Sequence, residues 1–254
     1  MLTHRFFRCV QLQVILMSAV FSVTSLAAEG GLRLTQTRVV FNGGDNSAKV
    51  AIKNNSEQVY LVKVDVMNTQ EGNADMPAPP FLVTPPLSRL EALSQNTSLV
   101  VRNGAEKLPN DRESVFYLSF LAIPSTKKWA NSDENMTSAQ VSVGVRNVIK
   151  LFYRPANLPI TVEQAARKLT FSQKGQQLKV TNPTPYYLTL AQLKTDQHGV
   201  DLRNAEPMLA PFSTRHYSVH GKVTQAQWAV IGDFGNMSQM YQATVQTGAE
   251  DVNP

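Results

Sequence analysis

Residues 138–159 read SAQVSVGVRNVIKLFYRPANLP, and two features of this stretch organise the rest of the chain. Gln140, Ser142 and Gly144 alternate with Val141, Val143 and Val145, the two-residue period of a strand with one apolar face. The run continues through Lys150 and Arg154 to Pro155, where a second proline at 159 stiffens a short connection that adds no strand, as a boundary between domains would. Before it, STKKWANSDENMTS at 125–138 is a polar loop that leaves the start of the strand at a sheet edge, where apolar residues form a pairing template. Alternation alone also fits an ordinary inward-facing sandwich strand, and it does not separate the two readings.

Outward from this stretch the pattern is short β-type runs broken by turn residues. LRLTQTRVVF (32–41) and SAKVAIKN (47–54) alternate around NGGDN (42–46), which predicts a hairpin-type connection with Gly43 and Gly44 free to take positive φ. YLVKVDVMN (60–68), SLVVR (98–102) and SVFYLSFLAIP (114–124) bring the total before Pro155 to roughly seven strands. MPAPPFLVTPPLSRL (76–90) holds five prolines and is no central strand. After the proline pair come KLTFSQKGQQLKVTNPTPYYLTLAQLKTD (168–196), HYSVHGKV (216–223), QWAVIGDFG (227–235) and YQATVQT (241–247), again strands and turns without a helical repeat. The fold class is all-β, two immunoglobulin-like β-sandwich domains over 28–156 and 157–254.

The first 27 residues are of another kind. Arg5 and Arg8 precede the apolar VQLQVILMSAVFSV (10–23), and the small residues of TSLAAEGG follow, which predicts a secretory signal peptide cut after Ala27 or Ala28. The competing reading is an uncleaved anchor, against which the run is short. Cys9, the one cysteine, leaves with this segment, so the domains of a protein exported to an oxidising compartment must stand on apolar packing without a disulfide. Removing Arg5 and Arg8 from the 24 basic residues leaves 22 against 19 acidic ones, a net +3 that gives no case for nucleic acid.

Signs of an enzyme are poor. On a strand, His216 and His220 lie about 13 Å apart, too far to share a metal. The DFG at 233–235 lacks the other parts of a kinase, and no nucleophile elbow, P-loop or His/Cys cluster appears. No catalytic residue, metal or cofactor is expected.

TRVVF (37–41), TPPLSRLE (84–91), LPNDRESVFYLSFLAIP (108–124), IKLFYRP (149–155), NPTPYYLTL (182–190) and IGDFGN (231–236) occur in this order, and together they resemble the periplasmic chaperones of the chaperone/usher pilus-assembly family. The resemblance implies two sandwiches in a boomerang arrangement. It implies a protein that completes pilus subunits lacking a strand, by lending them its own, and delivers them to an outer-membrane usher. The lent strand would carry Val141, Val143 and Val145. Arg38 and Lys150 match the cations that hold the subunit's C-terminal carboxylate, and Glu113, Arg154 and Asp233 match an interdomain ionic set. The free edge would also permit self-association, which the sequence does not decide. Where many relatives have a Pro-Gly turn after RLE, this chain has Ala92 and Leu93, which leaves that turn's geometry open. The moderately long, cysteine-free loop before the lent strand favours the short-loop, rod-pilus branch. Two other classes stay in view: a secreted two-sandwich adhesin whose strand completes its own core, and a hydrolase or lyase with Arg38 and Lys150 as an anion pocket, which lacks a nucleophile or base.

Overall fold

A computed structural model of the chain describes residues 31–73, 75–104, 107–125, 142–196 and 198–247. The leader expected at 1–27 and Val141 lie outside them. Two apolar cores form, divided at the Pro155 to Pro159 connection. The first gathers Val39, Phe41, Val50, Val62, Phe81, Leu90, Leu118, Phe120 and Leu151, and the second runs from Ala165 to Val230 around Trp228, Phe171 and Leu178.

In the first domain one sheet has the order β1 (Leu32–Leu34), β3 (Ser47–Asn54), β7 (Gln95–Arg102), β5 (Phe81–Thr84). The facing sheet has the order β2 (Arg38–Asn42), β9 (Val145–Arg154), β8 (Ser114–Pro124), β4 (Tyr60–Met67), β6 (Leu87–Leu90). Along β8, Phe116, Leu118, Phe120 and Ala122 are buried while Tyr117 and Leu121 are only partly covered, the alternation of a strand with one face on the core. The proline-rich 76–90 does hold strands, β5 and β6, but each lies at a sheet edge, where a missing N–H disrupts no ladder.

Among the described residues nine strands precede Pro155, where roughly seven are expected and six runs are named. Besides β5 and β6, the excess comes from LRLTQTRVVF, which breaks at Thr35 so that β1 joins one sheet and β2 the other. The Asn42 to Asn46 segment is therefore no hairpin: β2 and β3 belong to different sheets, and the turn carries the chain between them, with Asp45 N–H donating to the Asn42 carbonyl at 2.9 Å. Neither Gly43 nor Gly44 takes positive φ. Gly43 is needed for proximity instead: a Cβ there would meet the Ala156 nitrogen at 3.0 Å, and its N–H donates to the Arg154 carbonyl at 2.6 Å. The turn after RLE keeps a left-handed residue without glycine, since Leu93 adopts φ 52°.

The second domain pairs β15 (Ser213–Ser218), β11 (Gln177–Asn182), β10 (Thr170–Lys174) and β18 (Gln246–Thr247) in one sheet. The other holds β13 (His198–Gly199), β12 (Leu188–Thr195), β16 (Gln225–Val230) and β17 (Tyr241–Thr244), with β14 (Met208–Leu209) also on β12. A one-turn helix, α1 (Val162–Ala166), was not foreseen; its signal is the Thr161-x-x-Gln164 capping box, in which Thr161 Oγ1 accepts from Gln164 N–H at 3.3 Å and Gln164 Oε1 from Thr161 N–H at 3.0 Å. Trp228 Nε1 donates to the Ala166 carbonyl at 2.9 Å and seats the helix on the core.

Both domains end an inner strand with the same device. Asn54 and Asn182 are fully buried; their Oδ1 atoms accept from Ser56 Oγ (2.8 Å) and Thr184 Oγ1 (2.7 Å), and their Nδ2 groups donate to Gln58 and Tyr186 carbonyls. This fixes the loops that follow, and in the second domain the loop presents Tyr187 to the first domain.

Candidate functional site

β9 has two unlike halves. From Lys150 to Tyr153 it lies between β2 and β8, and Arg154 pairs with β2 alone; Arg38 is opposite Lys150 and Asn42 opposite Arg154 in a parallel ladder. From Val145 to Ile149 it pairs with β8 alone, so among the described residues its other edge has no strand partner. Val143 and Val145 are 71% and 49% exposed. Among the described residues the strand begins at Val145, and 142–144 are not strand because pairing with β8 ends at Ala122; the part of the alternating stretch from Ser138 to Val141 lies outside them.

The open edge leads to two cations. Val39, Phe41 and Leu151 face the core, so Arg38 and Lys150, next to them in adjacent strands, project on the opposite face. Arg38 Nη1 donates to the Ile231 carbonyl of the second domain at 3.2 Å, and the guanidinium lies 5.8 Å from the Phe152 ring centroid. Its Nε is buried without a hydrogen-bond partner. Neither cation has a carboxylate within ion-pair distance among the described residues. Burial lowers the pKa of both; the Arg38 charge lowers Lys150 further, whereas Asp233 and Glu113 partly restore Arg38. Two adjacent, partly desolvated cations with an unmet donor are suited to a carboxylate.

Glu113, Arg154 and Asp233 do meet. Arg154 Nε donates to Glu113 Oε1 at 2.7 Å, and its two terminal nitrogens donate to the two Asp233 oxygens at 2.6 and 2.8 Å. Glu113 Oε2 accepts Tyr187 N–H at 2.8 Å, and Glu113 N–H donates to the Pro185 carbonyl at 2.8 Å. Glu113 is buried, which raises its carboxyl pKa despite Arg154 and the Tyr187 N–H. Burial by itself would lower Arg154, but the bonds to Asp233 and Glu113 outweigh it and hold the guanidinium charged. Gly235, at φ 80°, follows Asp233 where a Cβ would collide with the Thr37 hydroxyl, so glycine lets this turn touch the first domain.

His216 and His220 are exposed and apart from these groups, and the described residues contain no cluster of three or more His, Cys, Asp or Glu side chains able to hold a metal. No helix among them is long and apolar enough to cross a membrane. Sequence reasoning missed the contact of Arg112 with Phe212, which joins a residue before Glu113 to a turn far along the chain.

Residues 31–159 match the family model described as pili and flagellar-assembly chaperone, PapD N-terminal domain, and residues 164–242 match that of the pili assembly chaperone PapD, C-terminal domain. The chain is 32% identical over 217 residues to the probable fimbrial chaperone LpfB of Escherichia coli O157:H7, covering 85% of this chain and 89% of that protein. The E. coli chaperone DraB superposes with a TM-score of 0.72 at 30% identity, over 85% of this chain and 97% of that one. A chain of the Salmonella enterica complex of SafA pilin with the SafB chaperone gives 0.70 at 29% identity, over 85% and 96%.

Proposed function

The chain belongs to the PapD-type pilus-assembly chaperone family, and from that premise we propose that it is a periplasmic chaperone that completes pilus subunits with its own β9 edge and hands them to an outer-membrane usher. The observation that carries this reading is the edge of Val145 to Ile149, which among the described residues is unpaired beside β8 and ends at Arg38 and Lys150, neither of which has a carboxylate there within ion-pair distance. A subunit strand laid along it forms main-chain hydrogen bonds, while Val143 and Val145, with Val141 ahead of them, enter the subunit's open groove. Each valine fully buried contributes on the order of 1.5 to 3 kcal/mol before ordering costs.

The subunit's C-terminal carboxylate, bound by Arg38 and Lys150, sets the register. A slip of one residue turns the opposite face of the strand to the groove, so a fixed end point selects the valine face. The Glu113–Arg154–Asp233 set holds the second domain against the first and keeps the cleft beside the cations. Release follows when the next subunit's strand displaces β9, so the cycle calls for no nucleotide, cofactor or catalytic residue.

Recovery of the mature tagged protein from periplasm, with mass spectrometry of what accompanies it, tests the reading. A pilin-like protein should co-purify, and Val143→Glu, which places an unpaired charge in an apolar groove, should abolish its recovery while leaving the chaperone folded. A chain that purifies alone, or with the same partner after Val143→Glu, would instead fit an adhesin whose strand serves only its own sandwich.

A further inference from the structure

Three non-glycine residues among those described take positive φ: Leu93 at 52°, Asp196 at 43° and Phe212 at 54°. Such a conformation is costly for a residue with a Cβ and needs a reason. Asp196 has one nearby, since its carboxylate accepts from the Thr224 N–H and hydroxyl and from Gln225 N–H. For Phe212 the local bond is a single one, N–H to the Thr184 carbonyl at 3.2 Å, and the ring is half exposed, so its own domain's core does not account for it.

Its partner is in the other domain. The Arg112 guanidinium lies 4.8 Å from the Phe212 ring centroid. Arg112 is itself held flat by Asp111, with Nε on Oδ1 at 3.0 Å and Nη2 on Oδ2 at 2.7 Å. Asp111, Arg112 and Glu113 thus form a continuous strip that meets the second domain at the Phe212 ring, the Pro185 carbonyl and the Tyr187 N–H. Arg154 and Asp233 supply a separate contact through the other oxygen of Glu113. Arg38 and Thr37 also meet the turn at 231–235, so Phe212 adds a contact on a further turn of the second domain, and contacts on separate turns fix an angle more firmly than those on one.

We infer that the Arg112–Phe212 stack is a further interdomain clasp, and that Phe212 is kept left-handed in order to bring its ring under Arg112. Both are positioning residues: they set the width of the cleft beside Arg38 and Lys150 without touching what binds there. The effect on binding rests on the proposed carboxylate site, but the effect on domain geometry does not.

Residues 28–254 contain no cysteine, so paired spin labels at Glu57→Cys and Lys222→Cys, one on each domain, report the interdomain distance. The parent should give a narrow distribution. Phe212→Gly and Arg112→Ala should each broaden it at least twofold, the double variant no more than either, and Phe212→Tyr, which keeps the ring, should match the parent. Phe212→Gly should melt within a few degrees of the parent, because relief of the left-handed φ offsets the lost ring contact and glycine's added chain entropy. A peptide of alternating valine and serine with a free C-terminal carboxylate, compared with its amidated form, reads the cleft: the parent's preference for the carboxylate should fall at least threefold in Phe212→Gly and Arg112→Ala. A distribution unchanged in both variants, or broadened equally by Phe212→Tyr, overturns the clasp. A parent with no preference for the carboxylate overturns the anchoring site and leaves the distance test standing.

Discussion

The two halves of β9 share one backbone and differ in what surrounds them. Lys150 to Arg154 is enclosed by β2, β8 and, through Arg154, the second domain; Val145 to Ile149 has one edge without a strand partner among the described residues and its first valine half exposed. An open apolar edge is a liability that folded proteins ordinarily blunt with charge, proline or a short strand. Here it is continuous with a rigid half, so the edge stays straight, in register and aimed at the cleft. A strand that is lent to another protein needs one half anchored and the other free, and this asymmetry is the physical content of the proposal.

The largest way to break the comparison is to release the anchored half. Arg154→Ala leaves the Glu113 carboxylate buried without its cation, and removal of one member of such a pair costs about 3 to 5 kcal/mol. Urea denaturation should show that loss, with the domains uncoupling before the first sandwich unfolds.

Next in size is the join between the halves. Lys150→Ala or Arg38→Ala should leave the melting temperature within a few degrees of the parent yet weaken subunit binding by about 1.5 to 3 kcal/mol, roughly 10- to 150-fold, as expected for a hydrogen bond to a charged group. Titration calorimetry with the co-purifying subunit measures it, and undiminished affinity would remove both cations from the account.

A smaller effect sharpens the anchored half by pH. The raised carboxyl of Glu113 keeps its proton in the folded chain where the unfolded chain has released it, so this group favours the fold at acid pH and that contribution is lost as pH rises through its folded pKa. Glu113→Gln should flatten the stability profile just above the ordinary carboxylate range, as read by denaturation at a series of pH values.

The smallest effect belongs to a position outside both halves. Leu93→Gly relieves a left-handed leucine that is 70% exposed and should stabilise the chain by about 0.5 to 1 kcal/mol, strain relief less glycine's added chain entropy, with subunit recovery unchanged.

The sequence made the valine face and the proline-bounded end of β9 legible, since period-two alternation and proline act locally. It did not reveal that the ladder with β8 ends at Val145, because that depends on the course of β8. The break at Thr35 left only a faint trace: in LRLTQTRVVF the apolar positions shift from 32 and 34 to 39 and 41 across the polar TQTR, where the chain passes from one sheet to the other. Gly43 looked like a turn residue and proved to be a point of close approach, which only the neighbouring Ala156 backbone explains. Glu113, Arg154 and Asp233 came into view only through the family resemblance, being 41 and 79 positions apart along the chain. Arg112 and Phe212 carry no motif at all, and the sign of φ at Phe212 is written in neither residue type nor spacing.

Amide hydrogen exchange along β9, measured residue by residue in the free chaperone and in its complex with the co-purifying pilin subunit, tests the central claim most directly. Exchange should be slow at 150–154 in both states, with the alternate amides of 145–149 that do not bond to β8 exchanging fast when free and becoming protected in the complex. Equal protection of both halves in the free protein, or no gain at 145–149 in the complex, would contradict it.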